Sequence, residues 1–268
     1  MTREAFEGTL TIFNGHETDA MQNILLDLEI KDEDGFLKND LFQINTQALN
    51  QITGIDGNGS LNSQTEGTAV IMFIPERGAA PNVPKFYSFG GTLSYLDPFT
   101  GEMFEQPLFP VTLQVNPSPN LYIDYFMQRD ILGDDALTEP IEPMVPAELA
   151  VMIDNQGAGT AYSVKIESAQ PEIIENEKGL LIDFEIVGSN LAGKPKQLGL
   201  LDVNFGDIPG GDIAVGQWWF TSTLLGHFIS YEVTVNHLNS FGNPELSLVS
   251  DVQLHELIKS VSVYGVHY

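Results

Sequence analysis

The sequence predicts an all-β fold in two domains, and three observations lead to that prediction. Glycine and proline are frequent, with 25 and 15 residues, and they separate short apolar runs along the whole chain. Several of these runs alternate apolar and polar residues with a period of two, as a half-buried strand does. One arrangement of strand, Asn/Gly turn and second strand occurs twice, which is typical of tandem modules of one architecture.

The first copy of this arrangement lies near the start of the chain. An apolar strand runs into Asn14 and Gly15, Ala20 follows, and residues 23–30 form the second strand. In that strand the apolar residues at 24, 26, 28 and 30 share one face, and the acidic residues at 27 and 29 share the other. Three later runs complete the predicted domain as strands: residues 67–73, 86–95 and 111–115.

The second copy begins at Leu149. An apolar strand ends at Asn155, glycines follow at 157 and 159, and Ala161 precedes an alternating strand over residues 162–167. The later runs 212–220 and 228–235 correspond to the later pair 67–73 and 86–95 of the first copy. We therefore expect two domains that each bury alternate side chains against a facing sheet.

The domain boundaries follow from proline and polar segments. The first domain covers residues 3–116, residues 117–120 form a linker stiffened by two prolines, and the second domain covers residues 121–268. The second domain begins with a strand over residues 121–126 and a proline-rich arm over 128–146, and an insertion over 170–206 contains strand candidates at 179–187 and 198–205. The first domain has an insertion over 35–66, with a strand at 40–46, a helical turn at 46–52 and a tight polar loop at 56–62.

Charge and cysteine content exclude several functions. The formal net charge is -26, so the surface repels phosphate backbones and anionic lipids and excludes them as partners. There are no cysteines, which rules out disulfides, thiolate zinc sites and cysteine nucleophiles and favours a bacterial source. The N-terminus has no apolar signal segment, and no run is long enough to span a membrane. The strand pattern begins abruptly at Gly8, so we expect a piece of a longer chain.

The repeated pattern resembles the CARDB-like and NPCBM-associated families of bacterial Ig-like β-sandwich modules. The residues that carry the resemblance are Asn155, Gly157, Gly159 and Ala161, the run 212–219, Gly226, Phe228 and Tyr231, and less closely Asn14, Gly15, Ala20 and 67–73. It implies two tandem Ig-like sandwiches with insertions, of the kind found in large secreted or surface-anchored bacterial proteins. Such modules are spacers or adhesive units without catalytic residues, so the resemblance supplies no site.

Acidic residues beside the linker suggest a metal site. Asp130, Asp134 and Asp135 lie on one loop, with Glu139 and Glu142 nearby. Calcium prefers several carboxylate and carbonyl oxygens, so calcium is the candidate cofactor, and a solvated acidic arm with Arg129 paired to a neighbour is the alternative. The acidic turns at 32–35 and 56–62 are weaker candidates, and the second departs from a calcium-binding helix–loop–helix at two positions, so we interpret both as plain turns.

Two adjacent tryptophans suggest a ligand site. Trp218 and Trp219 follow each other on a strand, so their rings point to opposite faces. One therefore packs in the core, and the other is either exposed, as a platform on which a sugar ring stacks, or covered by the 170–206 insertion. The histidines at 16, 227, 237, 255 and 267 match no ligand motif, although His227 and His237 lie near each other in the predicted strands.

These observations lead to a non-enzymatic function. We expect a structural or adhesive tandem module, a spacer or stalk, of a large secreted or cell-surface bacterial protein. Its partners would be other domains of the same chain, or protein or glycan surface ligands, and an edge-to-edge assembly of copies stays open. The alternative is a carbohydrate- or protein-binding accessory module of an extracellular hydrolase.

Overall fold

The computed structural model describes residues 5–167, 183–227 and 246–257. Regular structure in these residues is almost entirely β-strand, which confirms the all-β prediction, and the helical part consists of two 3₁₀ turns, Asn39–Leu41 and Arg77–Ala79. No helix among the described residues is long and apolar enough to cross a membrane. The predicted strand at 228–235, the first residues of the 179–187 candidate, Tyr231, His237 and His267 lie outside the described residues.

The chain divides into two compact units between Ser118 and Pro119, called here the N-terminal and C-terminal units. The strands of the N-terminal unit are β1 Phe6–Asn14, β2 Met21–Lys31, β3 Phe42–Asn50, β4 Asp56–Leu61, β5 Thr65–Pro75, β6 Lys85–Leu96, β7 Met103–Pro107 and β8 Val111–Val115. They form a three-stranded sheet in the order β1-β5-β3 and a second sheet in the order β4-β2-β6-β7, with β8 also paired to β6.

The core of the N-terminal unit lies between its two sheets. Buried Phe42, Ile71 and Phe73 of the first sheet contact buried side chains of β2, β6 and β8 in the second. The ring of Phe42 packs edge-on against Tyr87, with ring centroids 5.0 Å apart. Alternate residues therefore face a common apolar layer, as the period-two pattern predicts and as a β-sandwich requires.

In its described residues, the C-terminal unit has one large sheet and two small ones. Its strands are β9 Leu121–Gln128, β10 Asp130–Ile131, β11 Ala147–Asn155, β12 Ala161–Ile166, β13 Phe184–Leu191, β14 Gln197–Leu198, β15 Val203–Ile208, β16 Ile213–Ser222, β17 Gly226–His227 and β18 Val249–Leu257. The large sheet has the order β14-β13-β16-β11-β9-β18, and β12-β15 and β10-β17 form two-stranded sheets. Val151, Phe205 and Trp218 are members of a buried cluster that joins the large sheet to the β12-β15 pair.

The two units pair their strands in the same registers. Ile12 lies opposite Gly67 in β1 and β5, and Ile153 lies opposite Ala214 in β11 and β16. In β2 and β4, the pairs Met21–Leu61 and Ile24–Gly59 enclose a β-bulge. In β12 and β15, the pairs Ala161–Ile208 and Val164–Gly206 enclose a bulge of the same size. Inside these bulges Asn23 and Ser163 have the same positive φ of 52°.

Two local predictions in the first insertion are wrong. The segment 46–52, expected as a helical turn, belongs mostly to β3, and the loop expected over 56–62 is β4. In both cases pairing with a neighbouring strand outweighs the local turn or helix signal. A 3₁₀ turn lies instead at Asn39–Leu41, at the start of the segment expected as a strand over 40–46.

Candidate functional site

A buried asparagine closes the turn after β11 in the C-terminal unit. Asn155 is fully buried, and its Nδ2 donates to the carbonyl oxygens of Gly159, Ile208 and Pro209 at 2.8, 3.0 and 3.1 Å. Its Oδ1 accepts from the backbone N–H of Gly157 at 3.2 Å and of Asn120 at 3.1 Å. One side chain therefore joins its own turn to the end of β15 and to the start of β9.

Asn14 makes the matching contacts in the N-terminal unit. It is 2% exposed, and its Nδ2 donates to the carbonyl oxygens of Asp19, Leu61 and Asn62 at 3.0, 3.1 and 3.2 Å. Its Oδ1 accepts from the backbone N–H of His16 at 3.1 Å. Each amide therefore hydrogen-bonds backbone carbonyl groups near the ends of two strands, and because buried carbonyl groups need partners, this is a structural task.

Trp218 is a core residue. Its ring is 2% exposed and belongs to the buried cluster between the sheets, while its Nε1 donates to the carbonyl oxygen of Leu201 at 2.5 Å. A buried indole usually finds such an acceptor.

Trp219 points to the other face of the sheet, and side chains cover it. It is 7% exposed, its Nε1 donates to Glu148 Oε1 at 3.3 Å, and Lys196 Nζ lies 4.0 Å from the ring centroid. Lys196 belongs to the 170–206 segment, and its cation–π contact covers the ring. Of the two alternatives for the second tryptophan, exposed or covered by this insertion, the structure has the covered one. A sugar ring would reach this indole only after Lys196 moved away.

The acidic arm folds into a compact loop over residues 134–142. Glu142 Oε2 accepts from the backbone N–H of Asp135 at 2.9 Å, and Glu142 Oε1 accepts from the Thr138 hydroxyl at 2.8 Å. In return the backbone N–H of Glu142 donates to Asp134 Oδ1 at 3.0 Å. The N–H of Asp135 and the hydroxyl of Thr138 lower the pKa of Glu142 below its usual range.

The predicted calcium ligands therefore already have protein partners. Asp134 and Asp135 accept backbone N–H groups, and Asp130 Oδ1 lies 3.5 Å from Arg129 Nε. Across residues 5–167, 183–227 and 246–257, no three acidic or histidine side chains are grouped to hold a metal ion. Calcium at Asp130, Asp134 and Asp135 stays a prediction.

The two remaining acidic candidates serve their own turns. Asp32 Oδ1 accepts from the N–H groups of Asp34 and Phe36 at 3.1 and 2.9 Å. Asp56 Oδ1 accepts from the Asn58 N–H at 3.1 Å, and this bond is the main cause of its lowered pKa. Both arrangements are those of an aspartate that stabilises a turn.

A contact that the sequence does not predict joins His255 and Asp124. His255 Nε2 lies 2.7 Å from Asp124 Oδ1, and the imidazole stacks on Phe126 with centroids 4.9 Å apart. This contact results from the parallel pairing of β18 with β9, which are far apart in the sequence. No local sequence motif therefore predicts it. Both side chains are partly exposed, and the pair ties β18 to the sheet.

Comparison with known proteins identifies no family for this chain. No family model matches the chain, and no curated protein matches it.

Proposed function

We propose that this chain is a non-catalytic structural and adhesive tandem of Ig-like sandwiches within a large secreted or cell-surface protein. The observation that carries the proposal is the agreement between the units around Asn14 and Asn155, in hydrogen bonds, strand registers and bulges. Such agreement is expected when one module is duplicated. The pairings of β1 with β5 and of β2 with β6 support the Ig-like assignment, because strands B and E, and strands C and F, are neighbours in an immunoglobulin sandwich.

The use of the polar side chains supports this role over an enzymatic one. The amides of Asn14 and Asn155 and the carboxylates of Asp134, Asp135 and Glu142 satisfy backbone groups. The adjacent tryptophans pack or are covered, which favours a packing role over a carbohydrate platform. A module of this kind stabilises a shape and presents surfaces.

Mechanical unfolding of the full chain between two molecular handles tests the proposal. Two separate modules should give two force peaks, each releasing roughly 3.5 Å of contour length per residue of one unit. Asn155→Ala should lower one peak only, and Asn14→Ala the other. A single peak that releases both units together, or gradual extension without peaks, would refute the stalk role.

A further inference from the structure

The loop over residues 134–142 presents two large apolar side chains to solvent. Leu137 is 94% exposed and Ile141 is 87% exposed. Surrounding side chains extend the apolar surface, and all four are about half exposed: Leu132, Met144, Val145 and Leu225. Together with Leu137 and Ile141 they are called here the arm patch. Exposed apolar side chains concentrated in one region are typical of interaction surfaces.

Backbone contacts hold the parts of the arm patch together. The N–H of Val145 donates to the carbonyl oxygen of Leu132 at 3.1 Å, and the N–H of Leu225 donates to the carbonyl oxygen of Asp134 at 2.9 Å. The patch therefore combines residues from both ends of the arm and from the segment before β17. These contacts keep the apolar groups on one region of the C-terminal unit.

The loop that carries Leu137 and Ile141 is ordered before any partner arrives. Glu142 fastens the start of the loop through the Asp135 N–H and the Thr138 hydroxyl, and the Thr138 N–H donates to the carbonyl oxygen of Asp135 at 2.9 Å. Prolines at 140, 143 and 146 restrict the backbone further. A preorganised loop loses little conformational entropy on binding. More of the free energy gained by burying its exposed side chains therefore appears as affinity.

The charge around the arm patch identifies the chemistry of the partner. Asp134, Asp135, Glu139 and Glu142 lie within the same nine-residue loop, and Glu139 is exposed. A second copy of this chain, with its net charge of -26, would be repelled. The surface that fits both the apolar groups and the carboxylates is a polypeptide that alternates apolar side chains with Lys or Arg.

We propose that the arm patch is the docking site for a basic, apolar polypeptide segment of another protein, with Leu137 and Ile141 as its anchors. This inference rests on the adhesive part of the proposed function. The proposed function and the docking site can be refuted independently. The mechanical unfolding experiment reports on the two modules and does not depend on Leu137 or Ile141.

Binding of a soluble Leu/Lys peptide to the full chain at physiological salt tests the inference, with a Leu/Glu peptide of equal length as the negative probe. The Leu/Lys peptide should bind and should slow amide hydrogen exchange in residues 132–145. The double variant Leu137→Ser with Ile141→Ser should bind at least tenfold more weakly, because each side chain loses its apolar burial. Glu139→Lys should weaken binding severalfold and flatten its salt dependence.

The matched control is the double variant Leu198→Ser with Phe109→Ser, which removes apolar side chains that are 80% and 94% exposed elsewhere. It should bind as the parent chain does. Equal affinity for the parent and the loop variant would overturn the inference, as would equal losses in the loop variant and the control. Capture by phosphatidylcholine vesicles that depends on Leu137 and Ile141, with no peptide binding, would assign the patch to a membrane and would also overturn it.

Discussion

The two units share an asparagine-centred turn and differ at the sheet edge beside it. Asn14 and Asn155 donate to carbonyl oxygens at corresponding places. In the C-terminal unit Asn155 also accepts the N–H of Asn120, and β9 and β18 extend the sheet beyond β11. In the described part of the N-terminal unit, β1 is an edge strand with Phe13 60% exposed.

The comparison indicates that the asparagine-centred turn is required in each unit, whereas the strands at the neighbouring sheet edge can differ. In both units the amide hydrogen-bonds carbonyl groups at the two places where the chain passes from one sheet to the other, so we expect it to be needed in each sandwich. The neighbouring sheet edge differs, because β9 adds Leu121, Ile123 and Tyr125 to the core of the C-terminal unit, whereas β1 is an edge strand in the described part of the N-terminal unit. Changes at the asparagines should therefore be costly in both units, and changes at the edges or loops should be milder.

The largest expected effect comes from removing each asparagine amide. Asn155→Ala and Asn14→Ala each leave buried carbonyl groups without a donor, which should cost about 2–4 kcal/mol of unfolding free energy. Asn155→Ala should cost more, because Asn120 also loses its acceptor. Urea denaturation monitored by tryptophan fluorescence reports the C-terminal unit, where both tryptophans lie, and far-UV circular dichroism reports both units.

Asn82→Ala is the matched control, because Asn82 is exposed and should change stability by less than about 0.5 kcal/mol. Asn14→Ala should leave the fluorescence transition of the C-terminal unit unchanged. It should shift only the part of the circular-dichroism transition that comes from the N-terminal unit. If Asn14→Ala destabilised both units equally, or neither asparagine mattered more than Asn82, the shared role of the two amides would be refuted.

An intermediate effect is expected at two carboxylates that accept backbone N–H groups, Glu142 in the arm of the C-terminal unit and Asp56 at the start of β4. Glu142 and Asp56 both have lowered pKa values because their carboxylates accept N–H groups, from Asp135 and Asn58 respectively. A lowered folded-state pKa stabilises the loop at pH above the ordinary range of the free carboxyl, and this contribution disappears as pH falls through the lowered value.

Amide exchange of Asp135 and Asn58, measured between neutral and strongly acidic pH, checks this sign. Relative to an unstructured peptide, both amides should keep their protection at a pH where free carboxyls are already protonated, and should lose it at lower pH. In Glu142→Gln the protection at Asp135 should be weaker and independent of pH, while Asn58 should behave as before. Protection that rises on acidification would contradict the assigned hydrogen bonds.

The smallest effect concerns a buried phenol of the N-terminal unit. The Tyr87 hydroxyl donates to the carbonyl oxygen of Ala79 at 2.6 Å, and burial, followed by the charges of Asp32 and Asp40, raises its pKa. The contribution to stability is therefore complete below the ordinary tyrosine pKa of about 10 and is lost as pH rises above it.

Ultraviolet titration of the tyrosines should show a fraction that ionises above the ordinary tyrosine range, because Tyr87 and Tyr95 both have raised pKa values. In Tyr87→Phe this late fraction should lose one tyrosine. If Tyr87→Phe removed an early-titrating group, the buried hydrogen bond would be disproved.

Strand segments with regular alternation could be predicted from the sequence. Residues 24–30 of β2, β6 and β11 keep a period of two and were expected, and β12 was also expected although its register shifts. The missed strand β18 shifts register between Val249 and Asp251, and β3 shifts between Thr46 and Ala48, so apolar residues lose their phase. β7 is exposed along its whole length and carries no pattern of burial.

Local turn chemistry also misled the prediction for β4. Its Asp, Asn and Gly residues are typical of loops, yet glycine is required because a Cβ at Gly59 would collide with the Gly54 carbonyl oxygen. At the candidate sites, the sequence could identify Asn14, Asn155 and the adjacent tryptophans as unusual. It could not predict that Lys196 covers Trp219 or that Glu142 fastens the arm loop, because these contacts depend on three-dimensional arrangement.

Nuclear magnetic resonance of the side-chain NH₂ groups of Asn14 and Asn155 tests most directly whether a buried asparagine amide makes equivalent hydrogen bonds in both units. Assignment comes from the two alanine variants. Both NH₂ groups should exchange with solvent far more slowly than that of exposed Asn82, and each should show hydrogen-bond couplings to backbone carbonyls, of Leu61 or Asn62 in one unit and of Ile208 or Pro209 in the other. Rapid exchange at either asparagine, or coupling to unrelated carbonyls, would contradict the account.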